Sequence, residues 1–205
     1  MSHYFINDKN LVSEIKPFNI SINGNNFTFN TDNGVFSKGE LDFGTNLLIK
    51  NVLKLGIAGD ILDLGCGYGA IGIILAKLTD SVVTMSDVNK RAIHLTKMNA
   101  KKNNVSVNVI ESDGYQNIND EFNYVISNPP IRVGKKKLYE LLINSKDYLK
   151  KNGELIIVVR KEQGALSLIK DMNNYYKVDV LDKDKGFLII SLKSCWLISK
   201  FVLLI

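Results

Sequence analysis

Asp63-Leu64-Gly65-Cys66-Gly67-Tyr68-Gly69-Ala70 is the stretch that decides the fold. The apolar run 61–64 reads as a strand that ends in it, and an apolar helical pattern over 70–78 starts where it stops. Between them, glycines spaced G-x-G-x-G permit a turn that other residues resist and let a ligand approach the main chain. The first N–H groups of the following helix point into the same space. Strand, glycine turn and helix in this order open an α/β sheet, where ligands bind outside the carboxyl ends of the strands. A nicotinamide-binding oxidoreductase would prefer the longer G-x-G-x-x-G spacing.

Downstream, β-rich runs at 81–86, 106–110, 122–127 and 154–160 are interleaved with helical patterns at 90–103, about 136–149 and about 162–174. Two late runs, 176–181 and 186–192, are separated only by Asp182-Lys183-Asp184-Lys185 and are expected to pair as an antiparallel hairpin at the sheet edge. Parallel strands need crossovers, and continuous apolar runs such as 155–159 need cover on both faces. The expected fold is therefore α/β: a doubly wound, mostly parallel, seven-stranded sheet closed by an antiparallel C-terminal hairpin. Upstream, Ile20 and Ile22, then Phe27 and Phe29, alternate around Asn23-Gly24-Asn25-Asn26 and read as a hairpin covering one edge of the main domain. The organisation expected is an N-terminal β extension (1–58) covering cofactor and substrate, a main domain (59–193) and an apolar tail (194–205).

Carboxylates stand where a nucleotide-like cofactor would need them. Asp63 precedes the turn, Asp87 ends the second strand where it can accept both ribose hydroxyls, and Asp113 follows the third strand, placed to meet an adenine amino group. The run 122–127 ends in Asn128-Pro129-Pro130-Ile131. The Asn128 side-chain oxygen and the Pro129 carbonyl are acceptors for both hydrogens of a planar amine, directing its lone pair and stabilising positive charge that develops on nitrogen. Consecutive prolines hold that backbone rigid and keep Asn128 out of the helical region. Together the two turns point to an enzyme that methylates an amino group.

The chain has 205 residues, 45% hydrophobic and 23% charged, enough for one sizeable core. Two cysteines, Cys66 and Cys195, cannot make a disulfide framework, which fits a reducing cytoplasm. No apolar core of signal-peptide length lies in the first twenty residues, and the apolar tail is shorter than the roughly 20 residues that span a bilayer. A net charge of +5, patchy over Lys90-Arg91, Lys101-Lys102, Lys135-Lys136-Lys137 and Lys150-Lys151, favours a polyanionic partner. No metal-ligating constellation is apparent. Cys66 reads as a packing residue and His94 as a helix-face residue.

From 61 to 192 the chain resembles class I S-adenosylmethionine-dependent methyltransferases, with their Rossmann-like sheet. The resemblance implies S-adenosylmethionine as cofactor, with Gly65, Gly67 and Gly69 lining its methionine and ribose portion. Asp63 would help hold the methionine amino group, Asp87 the ribose and Asp113 the adenine. More narrowly, Gly34-Val35-Phe36-Ser37, Leu41-Asp42-Phe43-Gly44-Thr45 and Asn128-Pro129-Pro130-Ile131-Arg132-Val133-Gly134-Lys135 are similar to the small-subunit ribosomal RNA guanine-N2 methyltransferase family, in particular its short single-domain members. By this likeness Phe36 and Ser37 close over the cofactor and Thr45 lies near its methionine end. Asn128, Pro129 and Pro130 form the catalytic turn; Ile131 lies at the target, and Arg132 and Lys135 face the RNA. Related enzymes often carry Tyr or Phe at the position of Ile131, so Phe36, Phe43 or Phe187 would supply any stacking. The implied function is methylation of guanine N2 in small-subunit ribosomal RNA. A protein glutamine amide or an adenine amine is the alternative acceptor, and a non-catalytic RNA-binding module the alternative outside enzymes.

Overall fold

The computed structural model describes residues 11–194, so the tail from Cys195 onward lies outside the described residues. A two-stranded hairpin, β1 (Lys16–Ile22) and β2 (Asn25–Thr31), is followed by α1 (Phe43–Lys54). The main sheet begins with β3 (Gly59–Leu64), α2 (Ala70–Leu78), β4 (Ser81–Asp87), α3 (Lys90–Lys102), β5 (Asn108–Glu111) and β6 (Phe122–Ser127). It continues with α4 (Lys135–Asn144), β7 (Leu149–Arg160), α5 (Ala165–Met172), β8 (Tyr176–Asp184) and β9 (Phe187–Ser194).

The sheet has seven strands in the order β5-β4-β3-β6-β7-β9-β8. The first five are mutually parallel, and β9 is antiparallel to both neighbours. The fold is thus the expected doubly wound α/β sheet with an antiparallel C-terminal hairpin. Alternation along each strand splits the core. Ile61, Ile126, Ile156 and Val158 face one cluster, shared with α1, α2 and α3. Leu62, Leu64, Val125, Leu155 and Ile157 face the other, shared with α4 and α5. Both sets are apolar, which is why these strands read as continuous hydrophobic runs.

Three expectations shift. The run 43–54 is a helix that the alternating reading of the N-terminal segment did not contain; Asp42 caps it by accepting from the Thr45 N–H at 2.9 Å. The expected helix over 136–149 stops at Asn144 and tightens into a 3-10 turn before β7. The β1–β2 hairpin, expected to cover one edge of the main domain, forms its own two-stranded sheet and packs on α3. There Asn99 accepts from Asn30 N–H (2.8 Å) and donates to Asn30 C=O (3.0 Å). One helical turn on, Asn103 does the same to Thr28, at 3.0 and 2.8 Å. Two amides spaced i, i+4 therefore satisfy the open edge of β2 in place of a neighbouring strand. Phe27 and Phe29 are buried beneath.

Candidate active site

Pairing of β3 with β6 brings the two motif-bearing strand ends together, in register at Asp63 and Ile126. The Ser127 hydroxyl donates to the Leu64 carbonyl at 2.7 Å and ties one strand end to the other. Successive strands run to opposite sides of this pair, so a crevice opens at their carboxyl ends. It is a cleft of about 480 Å³. The expected site residues Phe36, Thr45, Gly65, Gly67, Asp87, Asp113, Asn128, Pro129, Pro130 and Ile131 all line it.

At one end the glycine turn passes through positive φ at Gly65 (74°) and Gly67 (58°), and a Cβ at either would meet nothing within 4 Å. That open space lets a ligand come up to the main chain. The Gly67 N–H donates to Asp87 Oδ2 (2.9 Å) and the Asn89 N–H to Asp87 Oδ1 (2.8 Å). The Val88 N–H bonds the same carboxylate, which lines the cleft and keeps acceptor capacity for a ligand hydroxyl. Burial raises the Asp87 carboxyl pKa, against the pull of the Asn89, Gly67 and Val88 N–H groups. Asp113 contacts Lys137 at 3.0 Å, so a cation that sequence reasoning had only counted within a basic run reaches the cleft. The donor set of glycine backbone, Asp87 and Asp113 fits an adenosine-bearing cofactor.

At the other end lies the Asn-Pro-Pro turn. Asn128 Nδ2 donates to Thr45 Oγ1 (2.9 Å) and Asp42 Oδ2 (3.3 Å). The Thr45 hydroxyl lies 3.2 Å from the same Asp42 oxygen as its donor. A carboxylate only accepts, so Asp42 fixes which end of the amide faces it. Asn128 lines the cleft, and its Oδ1 has no hydrogen-bond partner among the described residues. The Pro130 carbonyl accepts from Val133 N–H (3.2 Å), whereas the Pro129 carbonyl receives no such bond among those residues. Both acceptors are thus open among the described residues.

Asp63 and Gly69 stand back from the cleft lining. Asp63 is fully buried behind the turn and does not line the cleft; its Oδ2 accepts from Gly72 N–H at 2.8 Å, and its Oδ1 has no partner among the described residues. It braces the start of α2. Gly69 caps α2, and its missing Cβ faces Ile73, Thr96 and Met85, not the cleft. Thr45 lines the cleft and is also engaged with Asn128 and Asp42. Lys135 lies outside the cleft, paired with Asp171 at 3.3 Å. Arg132 sits in a 3-10 turn, Ile131–Val133, and its side chain is outside what the structure describes. Sequence reasoning missed Asp42 as a site residue; the signal was an Asp immediately before an amphipathic pattern. Burial pushes the Cys66 thiol well up, reinforced by Asp63 and Asp87, which suits a packing residue.

Asp63 makes stability depend on pH. Burial raises its carboxyl to about 7, opposed by the Gly72 N–H and aided by Asp87. An unfolded Asp titrates near about 4. Between those values the folded chain holds a proton that the unfolded chain has lost, so this contribution is complete below about 4 and is lost as pH rises towards about 7. Asp63→Asn should remove that window: melting curves of wild type and variant should diverge by several degrees between pH 5 and 8. Parallel curves would mean that Asp63 is not the titrating group.

The methyltransferase small domain model matches residues 26–191. The Bacillus subtilis (strain 168) protein YbxB is 40% identical over 196 residues, which is 93% of this chain and 98% of that one. Ribosomal RNA small subunit methyltransferase C of Vibrio vulnificus (strain CMCP6) is 36% identical over 148 residues, 70% of this chain but 43% of that protein. Against that relative the chain thus spans less than half the length. Among solved structures, the T. thermophilus 16S rRNA N2 G1207 methyltransferase in complex with AdoMet and guanosine superposes with a TM-score of 0.79. The match is 21% identical and covers 88% of this chain and 51% of that one, a likeness of fold.

Proposed function

The chain belongs to the methyltransferase small domain family, and from that premise we propose that this S-adenosylmethionine-dependent methyltransferase modifies the exocyclic N2 amine of a guanine in 16S ribosomal RNA. The observation that carries the reading is the Asn128 amide, clamped through its nitrogen by Asp42 and Thr45 and open at its oxygen beside the open Pro129 carbonyl.

The cofactor, when bound, supplies an electrophilic methyl group on a sulfonium sulfur. Gly65 and Gly67 would offer backbone to it, Asp87 would take the ribose hydroxyls, and the Asp113–Lys137 pair would meet the adenine edge. Phe36, 47% exposed on the cleft rim, and Ser37 would cover it. The amine on guanine is a poor nucleophile because its lone pair is delocalised into the ring. Asn128 Oδ1 and the Pro129 carbonyl accept its two hydrogens, localise the lone pair towards the methyl donor and hold the positive charge that forms on nitrogen. A guanine within a helix must be unstacked to reach them. Ribosomal RNA places the enzyme in the cytoplasm, and no helix among the described residues is long and apolar enough to cross a membrane.

The test is transfer of a labelled methyl group to unmodified small subunits, naked ribosomal RNA and a protein extract in parallel, followed by nucleoside and amino-acid analysis. Label in N2-methylguanosine is the expected result. Label in N6-methyladenosine or methylglutamine would replace the acceptor while keeping the Asn128 chemistry.

A further inference from the structure

The lysines nearest the catalytic turn are already neutralised: Lys135 pairs with Asp171 and Lys137 with Asp113. Two other cations stand on the Phe187 side of the cleft, and one of them, Arg160, lines it. Arg160 ends β7 and lies directly across from Phe187, the first residue of β9, with its guanidinium 4.9 Å from the ring centroid. Lys185, in the β8–β9 turn, holds its ammonium 4.9 Å from the Phe43 ring, and the two rings are 5.5 Å apart. Arg160, Phe187 and Gln163 line the cleft itself. Neither Arg160 nor Lys185 is paired with a carboxylate among the described residues.

We propose that this rim, Arg160 and Lys185 seated on Phe187 and Phe43, holds the phosphodiester backbone of the single-stranded RNA segment that carries the target nucleotide. The inference rests on the RNA reading above and moves the RNA-facing side from α4 to the carboxyl end of β7 and the β8–β9 turn. Charge decides it. A lysine sharing its charge with Asp171 gains little from a phosphate, because the new contact must compete with an existing one. An exposed cation held over an aromatic face keeps its full charge and loses less side-chain freedom on binding. A guanidinium lying on a ring still presents its N–H edge, which matches a phosphate in bidentate fashion. The ring pair is itself fixed: a Cβ on Gly44 would come within 2.7 Å of the Phe187 ring, so α1 and β9 meet with no space between them. The platform joins the N-terminus of α1, which clamps Asn128, to the carboxyl end of β7 and the β8–β9 turn.

The experiment is binding of a fluorescent, guanine-containing single-stranded RNA by wild type, Arg160→Gln/Lys185→Gln and Lys135→Gln across a salt series. Far-UV spectra and melting midpoints confirm that each variant is folded. Two lost phosphate contacts should weaken binding by about tenfold or more and reduce the slope of log affinity against log salt by about 1.4. Lys135→Gln should keep the wild-type slope. If wild type binds RNA and the double variant retains its slope, the rim is overturned while the RNA reading stands. If wild type binds no RNA and its methyl label appears only in protein, both are overturned.

Discussion

Asn128→Ala is expected to lower methyl transfer by about 10²–10³-fold or more, while the affinity for S-adenosylmethionine stays within a factor of about two. The magnitude is that of removing one preorganised partner from a site where charge develops. Cofactor binding survives because the Asp87 and glycine contacts lie at the other end of the cleft and share no hydrogen bond with Asn128. Asn128→Asp makes the test sharper. It retains the acceptor oxygens but loses the Nδ2 donor, and it sets a second carboxylate where Asn128 now lies 3.3 Å from Asp42 Oδ2. Like charges at that distance force a protonation or a rotation. If the clamp is what orients the amide, Asn128→Asp should be nearly as inactive as the alanine variant. Single-turnover rates at saturating cofactor are the measurement; wild-type rates in Asn128→Ala would end the mechanism.

Asp87→Ala should weaken cofactor binding by about 100-fold or more. The carboxylate accepts from Gly67 and Asn89 N–H groups and is proposed to accept from both ribose hydroxyls. Hydrogen bonds to a charged acceptor contribute about 1.5–3 kcal/mol each. Two lost ligand bonds alone account for that factor, before any loosening of the glycine turn, whose Gly67 N–H would lose its partner. Asp87→Asn separates the contributions, since its amide oxygen can still serve one N–H donor. It should fall between wild type and alanine when titrated by calorimetry with S-adenosylhomocysteine. An affinity in Asp87→Ala within threefold of wild type would place the ribose elsewhere in the cleft.

The parts that could be read along the chain are those whose causes are local. The glycine turn at Gly65 and Gly67, the apolar strands and the prolines after Asn128 each impose a backbone conformation within a few residues. From these follow the order of strands and helices, the seven-stranded sheet and the carboxyl-end location of both turns. Where local signals competed, boundaries moved, as at the 3-10 turn Ser145–Tyr148. The helix α1 was hidden because the segment was read for hairpin alternation and not for the cap at Asp42.

What only the tertiary structure decided is which distant residues meet. Asn128 and Thr45 are 83 positions apart, Asn103 and Thr28 75, and no periodicity in either segment records the pairing. The first contact depends on β6 lying beside β3 and on α1 packing across the first face of the sheet, the second on the β1–β2 hairpin packing on α3. The same holds for charge. Sequence composition counts lysines, but whether Lys135 is neutralised by Asp171 while Arg160 is left open on Phe187 is settled by packing. Local sterics write the elements into the sequence; long-range burial chooses the neighbours, and in this protein the neighbours orient the Asn128 amide.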